Sequence, residues 1–149
     1  LATGAYSNYN NDAGNITTYG RLYNWYSVND PRGLAPKGWH IPNDGEWQVL
    51  VDYLGGNAIA GGKIKESGTF HWASPNTGAT DDYGFCAVPN GYRNFDGIFY
   101  DRGISAPFWT STVYNSGNSL GWYPRYEYAN IFRDHHPVTN GFAVRCVKD

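Results

Sequence analysis

The last ten residues, Asn140-Gly-Phe-Ala-Val-Arg-Cys-Val-Lys-Asp149, restrict the fold more than any other stretch. In an extended chain Phe142, Val144 and Cys146 share one face, and Ala143, Arg145 and Val147 share the other. Only Arg145 interrupts the apolar run, so the block predicts a central core strand covered on both faces. A fold that uses it must close around it, because terminal residues fray unless a sheet ties them down.

What precedes that block predicts many short strands and tight turns. The 149 residues include 13 Tyr, 6 Trp, 7 Phe and 19 Gly, a mixture of sheet formers and turn formers. The length suits a single domain, residues 1–149. Net charge is −2 and no basic stripe is present, which argues against a nucleic-acid partner. No apolar run reaches membrane-spanning length, so direct membrane insertion within this stretch is not expected. With no Met, position 1 included, the sequence is expected to be a piece of a longer product, and a signal peptide or lipid anchor would lie outside it. Cys86 and Cys146 allow one disulfide or two separate buried thiols, and two cysteines alone do not decide between them.

Taken in order, residues Leu1 to Thr18 read as an Asn-rich, turn-rich lead-in. Tyr19 to Val28 reads as an aromatic strand, although Leu22, Tyr23 and Tyr26 also fit a helical face. The clearest local signal follows Pro42. Asn43 is a good N-cap, Glu46 stands at capping-box spacing, and Trp47, Leu50, Val51 and Leu54 fall on one helical face. A helix from Asp44 to Leu54 is predicted, stopped by Gly55-Gly56, and Glu46 is read as its cap rather than as a catalytic acid. Gly61 to Tyr83 reads as a long irregular connection anchored by His71-Trp72; His71 has no second ligand at a zinc-like spacing. Phe85 to Val88 reads as a short strand and Pro89-Asn90-Gly91 as a turn. Tyr92-Arg93 and Ile98 to Tyr100 read as a hairpin around Asn94 to Gly97. Strands at Phe108 to Val113 and from Trp122 to Phe132 lead to the closing block. One or two early helices followed by small antiparallel sheets make an α+β chain.

Several blocks carry a family resemblance. Tyr19-Gly-Arg-Leu-Tyr-Asn-Trp-Tyr, Gly33-Leu-Ala-Pro-Lys-Gly-Trp-His-Ile-Pro, His71-Trp-Ala-Ser-Pro-Asn-Thr-Gly, Pro89-Asn-Gly-Tyr-Arg, Phe108-Trp-Thr-Ser-Thr and Gly141-Phe-Ala-Val-Arg-Cys-Val occur in order. Together they resemble the Fibrobacter succinogenes major paralogous domain over essentially the whole chain. The resemblance implies a C-type-lectin-like fold in which first and last strands pair. It implies surface lipoproteins and secreted proteins of Bacteroidetes-type bacteria, without enzymatic activity. Some members of that family serve as variable proteins of diversity-generating retroelements. In those, adenine-directed mutagenesis rewrites codons just before the closing block, and the run from Tyr114 to Asn140 has the matching Tyr, Asn, Ser, Asp and His content.

The same run is the candidate binding surface, because Tyr and Trp bring stiff contact area while short polar residues adapt their hydrogen bonds. Tyr114, Trp122, Tyr123, Arg125, Tyr126, Glu127, Asp134, His135 and His136 are singled out as ligand contacts. Tyr128, Ile131 and Phe132 are assigned to the core. The expected partner is a protein or glycan on another cell or on a phage or host surface, met outside the cell. The reading is a non-catalytic, protein-binding display module, with a carbohydrate-binding surface domain as the alternative. A relative of the formylglycine-generating oxidases is the weakest reading, since neither cysteine stands beside another. No cofactor is expected. Pro89-Asn90 resembles the sugar-calcium motif of C-type lectins, but Val88 replaces its Glu. Asp81, Asp82, Asp96 and Asp101 leave room for a structural calcium ion only if they converge.

Overall fold

The predicted lead-in contains structure. The computed structural model describes residues 3–149; Leu1 and Ala2 lie outside the described residues. Tyr6–Ser7 (β1) pairs antiparallel with Leu22–Tyr23 (β2). Between them, single 3-10 turns at Tyr9–Asn11 and Ala13–Asn15 run into the short helix Ile16–Tyr19 (α1). The turn-rich reading is met by an Asx turn, with Gly14 N–H donating to Asp12 Oδ1 at 2.8 Å. The aromatic stretch expected to be one strand divides at Asn24. Its Oδ1 accepts the Ser27 N–H at 3.2 Å and so caps a turn of helix, Trp25–Val28 (α2).

Trp39–His40 (β3) precedes the predicted helix, which spans Asp44–Tyr53 (α3). Both halves of the capping box form. Glu46 N–H donates to Asn43 Oδ1 at 3.0 Å, and Asn43 N–H donates to Glu46 Oε2 at 2.8 Å. Trp47, Val51 and Leu54 are buried on its inner face, and Gly55 and Gly56, at φ of 101° and 94°, end it. A second helix, Asn57–Ile64 (α4), occupies the start of what reads in sequence as irregular chain. Gly61 and Gly62 are poor helix formers. Here a Cβ on either would be driven into a backbone carbonyl, that of Asn130 or of Gly78. The helix persists because two loops pack directly on its backbone.

Trp72 anchors the connection after α4 as expected, its Nε1–H donating to Ala87 O at 2.9 Å. Phe85 to Val88 is not a strand. Cys86 sits at φ +51° with its N–H held by Asp81 Oδ1 at 2.7 Å, and only Ala87 makes a bridge, to Lys65. The hairpin is as predicted, Asn90–Arg93 (β4) against Phe99–Arg102 (β5) with Arg93 opposite Phe99, though β4 begins inside the predicted turn. Phe108–Asn115 (β6), Asn118–Pro124 (β7) and Ile131–Pro137 (β8) form an antiparallel sheet with β7 in the middle.

The closing block departs from one continuous buried strand. Gly141, Phe142 and Ala143 are buried and bridge Arg93, Tyr23 and Phe108 in turn, so this half is central. Val147–Lys148 (β9) then pairs with β3 at the surface. Arg145 and Val147 are exposed and Cys146 is half-buried. The central bridges end at Ala143; beyond it the chain pairs only with β3, at the surface, so among the described residues the second half is not covered on both faces. His40 ties it down from outside: its Nδ1 lies 2.7 Å from Asp149 Oδ1 and its Nε2 lies 2.8 Å from Glu46 Oε1. Among the described residues the result is an α+β architecture of two main helices and four small sheets.

The β6–β7–β8 sheet carries an apolar layer on each face. Trp47, Val51, Leu54, Ile64, Trp72, Phe108, Trp122 and Ile131 pack between the sheet and the two main helices. Trp25, Trp109, Val138 and Phe142 form the layer on the opposite face. Four indole N–H groups cross-link the core. Besides Trp72, Trp25 donates to Thr110 O, Trp109 to Tyr23 O and Trp122 to Asp44 Oδ1, all at 2.8–2.9 Å.

One buried charge fixes the loops over α4. Lys65, 0 % exposed, donates from Nζ to the carbonyls of Thr77, Arg125 and Tyr128 at 2.9, 3.0 and 2.9 Å. No carboxylate is within ion-pair distance among the described residues. Burial pulls the ammonium down from 10.5 to about 8. Lys65→Met removes three donors and orphans three carbonyls. It should destabilise the protein by about 2–4 kcal/mol in chemical unfolding at neutral pH. Because the folded-state pKa is the lower one, the unfolded chain holds the extra proton between about pH 8 and pH 10, and wild-type stability gains with pH in that window. The wild-type advantage over Lys65→Met should therefore widen from neutral pH toward about pH 10; a constant difference would contradict the assignment.

Candidate functional site

Strand alternation divides the predicted contacts between two faces of the β6–β7–β8 sheet. Trp122 and Arg133 stand opposite each other on the helix side, where Arg133 Nε and Nη2 grip the Asp44 carboxylate at 2.7 and 2.8 Å. Trp122 is 1 % exposed and stacks on Trp47 at a centroid distance of 6.4 Å. It is scaffold, which corrects its assignment as a ligand contact. His135 stacks on Tyr114 at 4.2 Å; both are exposed. Tyr126 is half-buried and packs against the main core. Tyr128, assigned to the core, is 48 % exposed instead, edge-on to Phe132.

On the other side of β7, three predicted residues converge. Tyr123, Arg125 and His136 line one cleft of about 330 Å³, together with Tyr92, Asp101, Ser105, Asn140 and Phe142. Arg125 stands at the rim, where Nη1 donates to Asp101 Oδ2 at 3.2 Å and Nε donates to Glu127 Oε2 at 3.4 Å. Glu127 thus belongs to the rim. Asp134 is exposed two residues before His136, so both point to this side, and its Oδ1 accepts the His135 N–H at 2.7 Å.

His136 is built into the wall. Its ring meets Phe142 at 4.8 Å, Tyr123 at 5.8 Å and Trp109 at 6.3 Å, all near edge-to-face. Gly121 lies beneath this packing, where a Cβ would come within 3.1 Å of the Phe108 carbonyl oxygen. Burial holds the imidazole below its usual 6.5, against the opposing pull of Asp134. The ring is neutral at physiological pH. Its Nε2 is buried without a hydrogen-bond partner among the described residues, as is Asn140 Oδ1. Burial raises both the Tyr92 and Tyr123 phenols, which therefore stay protonated and able to donate. The cleft offers two phenols, a neutral imidazole, a buried amide and a paired guanidinium, an arrangement suited to hydrogen bonding and ring contact.

Tyr92, Asp101 and Ser105 are absent from the sequence-based contacts. Tyr92 follows a block read as a turn, and β4 placement is what aims it at the cleft. Asn140 enters from the run picked out for its composition. The four aspartates considered for calcium do not converge. Asp81 holds Cys86, Asp82 lies 3.9 Å from Lys63, Asp96 accepts the Ile98 N–H, and Asp101 pairs with Arg125. Among the described residues no three His, Cys, Asp or Glu side chains could hold a metal together. Cys86 and Cys146 are free thiols, and burial raises the pKa of both.

The family model described as the Fibrobacter succinogenes major domain matches residues 1–148. No curated protein and no solved structure matches the chain.

Two outcomes separate scaffold from surface. Trp122→Ala should cost about 3–5 kcal/mol of unfolding free energy, whereas Tyr114→Ala should stay within about 1 kcal/mol. For His136, the unfolded chain takes up the proton first as pH falls, so stability should drop below about pH 6.5. His136→Phe keeps a ring against Phe142 but cannot titrate. Its melting temperature should fall less steeply than wild type between about pH 7 and pH 5; parallel curves would exclude His136 as the acid-sensitive group.

Proposed function

The chain belongs to the Fibrobacter succinogenes major domain family, and we propose that it is a non-catalytic recognition module. It grips a protein partner, on another cell or on a phage or host surface, through the cleft of Tyr92, Tyr123, Arg125 and His136. The observation that carries this reading is the convergence of Tyr123, Arg125 and His136 on one cleft, above a sheet whose opposite face is packed against helices. Tyrosine rings and short polar groups on a rigid base suit protein contact. Such a module works outside the cell. We assign it a C-type-lectin-like arrangement on the strength of the late block that bridges β2, β4 and β6.

The proposal extends to diversification. Tyr123, Arg125, Glu127 and Asp134 can be exchanged without touching either apolar layer, while Trp122 and Ile131 cannot. A carbohydrate ligand at the same cleft is the second reading, favoured by the Tyr92 and Tyr123 rings; glycan binding would then be lost on Tyr123→Ala and would not need Trp122.

Sequencing many cells of the source population tests the variable-protein reading. Amino-acid replacements should concentrate at Tyr123, Arg125, Glu127, Asp134 and His135, with Trp122 and Ile131 constant. A near-copy of this coding segment, mismatched only at adenines and next to a reverse-transcriptase gene, should accompany them. Replacements spread evenly over exposed positions of all strands would exclude it.

A further inference from the structure

The block Pro89-Asn-Gly-Tyr-Arg93 leaves one side chain that the first cleft does not use. β4 alternates, so Tyr92 and Asn94 face that cleft while Arg93 and Phe95 face the opposite way. Arg93 is half-buried, and its Nε is shielded from solvent with no hydrogen-bond partner among the described residues. Arg32, Arg102, Arg125, Arg133 and Arg145 each have one. No carboxylate pairs with Arg93 among the described residues. The guanidinium rests over the Phe99 ring, with Cζ 5.8 Å from the ring centre, and has no anion beside it among the described residues; a shielded donor left unmatched is costly.

Arg93 opens onto a second cleft, of about 410 Å³, a size typical of small-ligand sites. Ser7 and Thr139 bring hydroxyls to it, and none of its lining residues is acidic. The floor is stiff, since Arg93 and Gly141 exchange both backbone hydrogen bonds, at 3.0 and 2.7 Å. Gly141 also leaves room for the Arg93 stem; a Cβ there would lie 3.2 Å from Arg93 Cβ. Phe95 stands at the rim 68 % exposed. On the other wall Tyr6 is 60 % exposed.

We propose that this second cleft binds an acidic polysaccharide through the carboxylate of a uronic-acid residue. The guanidinium of Arg93 forks onto the carboxylate, a geometry that arginine matches in two parallel N–H···O bonds. Phe95 lies under the apolar face of the pyranose, and Ser7 and Thr139 meet ring hydroxyls. The site is independent of the first cleft, and either can fail without the other.

The test is a chemical-shift titration of isotope-labelled protein with trigalacturonate at about 20 mM salt, where charge attraction is weakly screened. A neutral glucose trimer and acetate serve as comparison ligands. The expected result is saturable shifts at the Arg93 Nε–H and at the Phe95 and Gly141 amides, with no response to the glucose trimer. Arg93→Gln and Phe95→Ala should each weaken binding at least about tenfold. Phe95 is exposed, so its variant reads binding even if Arg93→Gln folds poorly. Absence of shifts, equal binding by both variants, or an acetate response as tight as that to trigalacturonate would overturn the proposal. So would shifts centred on Tyr123 and His136, which would move the sugar to the first cleft.

Discussion

The Lys65 ammonium, closed off from solvent and held by three carbonyl oxygens beside the Trp72 ring, is the interaction on which the geometry of the cleft depends. It gathers backbone from two segments far apart in sequence, residue 77 on one side and residues 125 and 128 on the other. Arg125, whose carbonyl it holds, carries the side chain at the rim. The same loops lie directly on α4, where Gly62 N–H donates to Ala129 O at 2.7 Å and Thr77 N–H donates to Tyr126 O at 2.8 Å. Carbonyl acceptors without a counter-charge leave the ammonium poorly solvated, which is why it loses its proton more readily than an exposed lysine. One expensive buried charge thus ties the loop to α4, which is what the proposed binding surface would require to hold its shape.

The abundance of aromatic residues divides by chemistry. Four of the six tryptophans, Trp25, Trp72, Trp109 and Trp122, turn their N–H groups on distant backbone or on Asp44 and act as cross-links within the core. Several tyrosines, with a polar tip at the end of a flat ring, stand where the sheet meets water. Neighbours on β7 show the division most clearly. Trp122 is packed under helix α3 while Tyr123, one residue on, faces the cleft. A change at Tyr123 is a change of contact, and a change at Trp122 is a change of fold.

How much of this was legible in the sequence varied with the reach of the forces involved. The α3 helix could be read residue by residue, because Asn43, Glu46 and the Trp47–Leu54 stripe carry local signals that need no partner. The hairpin around Asn94 to Gly97 was legible for the same reason. The second helix was not, since Gly61 and Gly62 oppose helix formation locally and only the loops lying on them explain their presence. Cys86 looked like a strand residue, yet the Asp81 carboxylate holds its N–H and the backbone turns left-handed there. Lys65 sits in a Gly-Lys-Ile-Lys-Glu run that reads as solvated surface, and nothing in the sequence marks it as buried. At the cleft, composition drew attention to the stretch that supplies Tyr123, Arg125 and His136 to the lining. It could not assign sides of the sheet, because that requires the register, and Trp122 was misplaced accordingly. Tyr92 and Asp101 come from a hairpin distant in sequence and were invisible for that reason.

Native-state hydrogen exchange at the Gly62 and Thr77 amides tests the central claim most directly. Both donate into the segment that Lys65 holds. If that segment is part of the rigid frame, both amides exchange only through global unfolding, with the same denaturant dependence as the core amides of β7. Exchange that is fast and independent of denaturant, as in a locally opening loop, would mean that the ammonium does not lock the segment and that the cleft lacks the fixed rim described here.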